Sequence, residues 1–127
     1  MGNLLDPDLE FRDLSVNELR DMVSRKSESV LRRGRAIMEL GRRASSDTAL
    51  LEEVAAMIRA PENRRLVTVG TASISQLGTA GLVAGGGERA LALARELVEE
   101  WQTEERSDFG WLMRSSGIAW PHPTESS

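Results

Sequence analysis

The chain has 127 residues, 40% of them apolar and 28% charged, the length and balance of one globular domain. It has no Cys and no Tyr, two Phe and three Trp, which rules out disulfides and thiolate metal sites and requires an aliphatic core. The net charge of −4 is segregated: residues 1–21 carry six acids and two bases, residues 22–65 ten bases and six acids, and residues 66–127 eight acids and four bases.

The first stretch, residues 1–13, reads as an acidic, loosely ordered lead-in. Acids stand where a signal peptide needs bases, and no apolar run approaches the ~18 residues of a membrane span. A cytoplasmic protein without a membrane segment is therefore expected. Asp6 stands where a myristoylation signal needs Ser or Thr.

Ser15 and Glu18 have the spacing of a capping box, so a first helix should start there and carry Leu19, Met22 and Val23 inward. A second helix is expected over 27–43, with Val30, Leu31, Gly34, Ile37, Met38 and Gly41 on one side. Asp47 is a candidate N-cap for a third, which buries Leu50, Leu51, Val54, Met57 and Ile58 and stops at Pro61. In the stretch 66–77, Val67, Thr68 and Val69 are β-branched, yet Leu66, Val69, Gly70, Ser73, Ile74 and Leu77 fall on a helical stripe without strict alternation. Helix is favoured there over strand. The glycine-rich stretch 78–88 then reads as a flexible connection, followed by a fifth helix over 89–104 with Ala90, Leu93, Ala94, Leu97, Val98 and Trp101 inward. A short sixth helix over 108–116 places Phe109, Leu112 and Met113. Two prolines force the tail, 118–127, to be extended, with Trp120 folding back as an end cap.

The helices echo one another. Ile37, Leu40 and Gly41 recur as Ile74, Leu77 and Gly78 at an offset of 37; Leu19, Met22 and Val23 recur as Val54, Met57 and Ile58 at 35; Met57 and Ile58 recur as Leu97 and Val98 at 40. A two-helix unit repeating at that interval points to an all-α domain over 14–117, a short α-solenoid of three helical hairpins. The stretch 32–58, "RRGRAIMELGRRASSDTALLEEVAAMI", resembles the HEAT repeat family: a helix ending in Leu-Gly, a short Asp-containing turn, then Ala-Leu-Leu opening the next helix. The resemblance implies a binding scaffold whose second helices line a concave surface and whose partners are proteins.

Arg32, Arg35, Glu39, Arg42 and Arg43 share the face of the second helix opposite its apolar stripe. Under the resemblance they form a basic patch for a partner's carboxylates or phosphates. The simpler account is a solvated face on which Glu39 bridges Arg35 and Arg43 at four-residue spacing. A third is intramolecular: the acidic lead-in lies across the arginines until a partner displaces it. Trp111 is a further candidate anchor, because Trp is enriched at binding hot spots. Nucleic acid is an unfavourable partner, since acidic flanks surround one basic helix and no aromatic residue is interleaved with the arginines.

No residue constellation indicates catalysis, a metal or a cofactor. "GGGER" at 85–89 lacks the Lys-Ser/Thr of a phosphate loop. Glu96, Glu100 and Glu104 stack at four-residue spacing without a His partner, and the single histidine, His122, stands between prolines. The expected function is a non-enzymatic protein-protein interaction module, an adaptor or scaffold. The alternative is a small immunity-type inhibitor that covers a basic active site with its acidic surface, Glu96 to Glu105 especially.

Overall fold

The computed structural model describes residues 9–69, 72–118 and 120. The start of the lead-in, the tail beyond Trp120 with His122, and Gly70, Thr71 and Ala119 lie outside the described residues. In chain order the elements are α1 (Leu9–Arg12), α2 (Val16–Ser24), α3 (Val30–Arg43), a 3-10 turn (Ala44–Ser46), α4 (Thr48–Arg59), α5 (Pro61–Arg65), β1 (Val67–Val69), β2 (Ala72–Ser73), α6 (Ile74–Gly85), α7 (Glu88–Glu99) and α8 (Thr103–Ser115). The fold is all-α, with one small antiparallel hairpin among the described residues.

Local chemistry sets most helix boundaries. Ser15 Oγ accepts from the Glu18 amide at 3.1 Å while the Glu18 carboxylate accepts from the Ser15 amide at 2.8 Å, the expected capping box at the start of α2. Asp47 caps α4 through the Leu50 amide at 3.2 Å. Pro61 both prevents α4 from continuing and opens α5, because proline fits the first helical position, where no amide donor is needed. The apolar faces of α2 and α4 are buried as their spacing predicts, but Leu31 on α3 is 38% exposed rather than inward.

The segment 66–77 is not the helix its stripe suggests. Val67 and Val69 pair with Ser73 and Ala72 as antiparallel strands, in keeping with their β-branching. The helix starts only at Ile74, where Ser73 and Gln76 form a second capping box: the Gln76 amide donates to Ser73 Oγ at 3.1 Å and the Ser73 amide to Gln76 Oε1 at 2.9 Å. α6 then runs through the stretch expected to be a flexible connection, and residues 74–83 are all buried. Gly86 and Gly87, with φ of 76° and 94°, end it in a conformation that residues with a side chain rarely adopt. Farther on, α7 ends at Glu99 and α8 begins at Thr103. Glu104 is therefore not stacked on Glu96 and Glu100 along one helix, as the sequence spacing suggested.

A helix rich in glycine survives in the core because its glycines admit another backbone. A Cβ placed on Gly81 would lie 2.2 Å from the Met38 carbonyl oxygen, on Gly85 2.5 Å from that of Arg42, and on Gly41 2.8 Å from that of Gly78. The α3 and α6 main chains are thus in contact. The pairs Ile37 with Gly78, Met38 with Gly81 and Arg42 with Gly85 rise together in number, so the two helices run parallel. The buried polar groups of α6 find partners: Ser75 Oγ donates to the Ile58 carbonyl at 2.7 Å, Thr79 Oγ1 to the Ser75 carbonyl at 2.9 Å and Gln76 Nε2 to the Glu105 carbonyl at 3.1 Å.

α4 and α7 also run side by side. Arg89 donates to Thr48 Oγ1 at 2.8 Å, Arg59 forks onto Glu100 with its shorter bond at 2.6 Å, and Arg64 reaches Glu105 at 2.7 Å. Each pair is separated by 41 positions, which makes α4 and α7 parallel neighbours. Arg20 forks onto Glu53 in the same manner between α2 and α4. At the far end Phe109 packs edge-on against Trp101 and Trp120, with ring centroids 5.5 Å and 5.1 Å apart, so Trp120 does fold back over the last helix.

Two predictions test these contacts. Gly81→Ala should lower the unfolding free energy by about 3 kcal/mol, at or above the usual range for overpacking, whereas Ala84→Gly on the exposed side of α6 should cost only about 1 kcal/mol; equal midpoints in urea titrations would contradict the close approach. The hydrogen bonds from Arg59 hold the Glu100 carboxyl below its ordinary value. Their stabilising contribution is complete above about pH 4.5 and is lost as pH falls through the depressed folded value. The pair is 43–44% exposed, so the effect is small. Glu100→Gln should flatten this acid limb of the stability-pH curve, and parallel curves for variant and wild type would count against the pair.

Candidate functional site

The arginines of α3 are not a bare basic patch. Glu39, placed among them by helical spacing, is only 6% exposed because α1 lies on that side of the helix. Its carboxylate accepts from Arg43 Nε at 2.9 Å and from Arg42 Nη1 at 3.4 Å. A buried carboxylate needs such partners, since burying it alone would cost several kcal/mol. The i+4 bridge to Arg43 is as expected. Arg42 at i+3 supplies a further bond to Glu39, and Arg35 is half-buried with a partner of its own.

From Glu39 the network continues into the N-terminal segment. Arg43 Nη2 donates to the main-chain carbonyls of Phe11 at 3.1 Å and Arg12 at 2.9 Å. These carbonyls lie at the end of α1, and that of Phe11 also accepts from the Leu14 amide at 3.2 Å. Arg32 is anchored by Glu28 at 2.8 Å and sets its guanidinium 5.3 Å from the centroid of the Phe11 ring, within cation-π range. Phe11 is 2% exposed and belongs to the hydrophobic core. Residues 9–12 are thus one helical turn docked on α3, where the sequence led us to expect a loosely ordered lead-in. The missing signal was the lone aromatic residue in an acidic stretch, which is a poor solvated residue and a good anchor.

Arg33, by contrast, leaves the face altogether. It is buried and donates Nε to the Val23 carbonyl at 2.9 Å, where α2 ends. Arg32, Arg35, Arg42 and Arg43 all lie on α3 around Glu39 or Phe11, whereas Trp111 is on α8 and takes no part in that cluster. Trp111 is 61% exposed, the largest exposed apolar side chain among the described residues. A groove of about 400 Å³ between α4 and α7 has Leu51, Ala55 and Leu93 among its lining and Arg59 and Arg89 toward its ends.

The groups α3 presents to α1 are one guanidinium for two carbonyl oxygens, one guanidinium for an aromatic ring, and a buried carboxylate that fixes the first. Among the described residues no group of three or more His, Asp or Glu has the placement of a metal site, and no helix is long and apolar enough to cross a membrane. Comparison of the chain with known protein families, curated proteins and solved structures finds no match.

Glu39→Ala should destabilise the fold by about 2 kcal/mol or more, because it strips a buried counter-ion from Arg42 and Arg43. Thermal or urea unfolding of the variant checks this. A neutral substitution would mean that the two arginines are held by solvent instead.

Proposed function

We propose that the chain is a non-enzymatic protein-binding module, an adaptor of HEAT-like design that takes its partner on the α3 face. The observation that carries this is the docking of residues 9–12 there, since a main-chain fork and a ring under a guanidinium are contacts that any suitable peptide makes. The parallel stacking of α3 on α6 and of α4 on α7 supports the repeat interpretation of the helix pairs. Pairing of the arginines with Glu39, Glu28 and carbonyl oxygens favours a protein partner over nucleic acid, which would need accumulated unpaired positive charge. In this account the protein works in the cytoplasm without a cofactor.

The test is affinity capture from the native cell with wild type and with Arg32→Glu/Arg35→Glu. A folded double variant should lose its partner by about tenfold or more, equivalent to about 1.4 kcal/mol of binding free energy. Undiminished capture would remove the arginine face from the account.

A second function is favoured by Trp111. It projects from α8 with Glu104 one helical repeat before it and Asp108 one turn before it on the same side, so a basic surface could be gripped there by an aromatic anchor with acidic neighbours. This is the arrangement an immunity-type inhibitor of a basic active site would use. Trp111→Ala would then abolish the complex and the arginine reversals would leave it intact.

A further inference from the structure

The contacts that hold α1 come from two arginines of α3. Phe11 contributes its side chain to the core and to Arg32, while Arg43 donates to the main-chain oxygens of Phe11 and Arg12. Arg12, whose carbonyl is bound, has an exposed side chain. The receptor half, in contrast, is rigid and specified. Glu39 is buried and locks Arg43, Glu28 locks Arg32, and α3, which carries Arg32, Glu39 and Arg43, is pinned by its backbone contact with α6. A pre-organised receptor facing a single helical turn with a buried aromatic anchor is the arrangement of a peptide-recognition site rather than of a helix-helix interface, which would spread its contacts over several turns.

We infer that the α3 face is a recognition site for a short helical turn in which an aromatic residue and the residue after it offer their carbonyls to Arg43, filled in cis by residues 9–12 and open in trans to a protein segment of the same chemistry. The inference rests on the binding-module function and names the partner's chemical class. The sequence around the cis ligand, Asp8-Leu9-Glu10-Phe11-Arg12-Asp13, shows that acids flank the aromatic residue, a composition that suits a ligand for a helix rich in arginine. The cis segment is tethered by two residues, Asp13 and Leu14, to the capped start of α2. Such a tether gives an effective concentration in the millimolar range or above, so a free peptide competes poorly with it unless the cis turn is weakened.

The experiment uses a fluorescent peptide of residues 7–15, PDLEFRDLS, and the full-length chain, read by fluorescence anisotropy. Phe11→Ala empties the ring position of the cis turn and should bind the peptide at least about tenfold more tightly than wild type does. The same peptide with Ala in place of its Phe should not bind, and Arg43→Ala added to Phe11→Ala should abolish binding of the parent peptide. Absence of binding by a Phe11→Ala chain that keeps its helical dichroism would overturn the inference. Should that variant lose its helical signal, wild type is incubated with the peptide at about 10 mM, above the effective concentration of the tethered turn, and followed by hydrogen exchange. Faster exchange at residues 9–14 supports displacement, and unchanged exchange overturns it. If the peptide fails while capture of the native partner remains sensitive to Arg32→Glu/Arg35→Glu, the aromatic-turn inference falls and the binding module stands. If both fail, both fall.

Discussion

Everything else in the molecule hangs on two parallel main chains lying against each other. Gly81 and Gly85 on α6 and Gly41 on α3 remove the side chains that would otherwise hold the helices apart, and the backbone of each helix fills the space left by the other, while Gly78 makes room for the side chains of Ile37 and Ile58. A glycine inside a helix costs about 1 kcal/mol relative to alanine, and α6 carries several. Close packing of the helix offsets that cost, with ten consecutive residues buried. The same burial dictates the polar chemistry of α6: Ser75, Gln76 and Thr79 sit in the core only because carbonyl groups of Ile58, Glu105 and Ser75 accept from them.

From that seam the remaining elements follow in layers. α4 and α7 flank α6 and are tied to each other at their edges by Arg59 with Glu100 and by Arg89 with Thr48, while Arg64 ties α5 to Glu105 of α8. The outer side of α3 is left for α1, which is too short to form an interface of helical ridges and is held by an aromatic anchor and a guanidinium fork. The seam is what holds that outer side of α3 in place for α1. A helix free to shift on its neighbour could not keep Glu39, Arg42 and Arg43 in register with two carbonyl oxygens.

Much of this was legible in the sequence wherever a residue acts through its nearest neighbours. Ser15 with Glu18, Asp47 and Pro61 mark helix boundaries by bonds made or refused within one turn, and they lie where they were expected. The residues of the echo, Ile37, Leu40 and Gly41 and then Ile74, Leu77 and Gly78, lie on two adjacent parallel helices, α3 and α6. What could not be read locally was the use of glycine as a contact surface: the stretch 78–85 looks like a linker until a partner backbone is supplied. That error displaced the helix toward 66–77 and hid the capping pair Ser73 and Gln76, which has the same spacing as Ser15 and Glu18. The arginines were placed on the right helix, yet their engagement depends on Phe11, some twenty to thirty residues away in the chain, and helical spacing on α3 says nothing of it.

The most direct test of the central constraint is a nuclear Overhauser spectrum of the labelled protein, searched for contacts between the α-protons of α3 and α6. Backbone-to-backbone packing predicts cross-peaks from Gly81 to Met38 and from Gly85 to Arg42, in parallel order. Helical secondary shifts over 74–85 without those cross-peaks, or a chain that is irregular from 78 to 87, would contradict it.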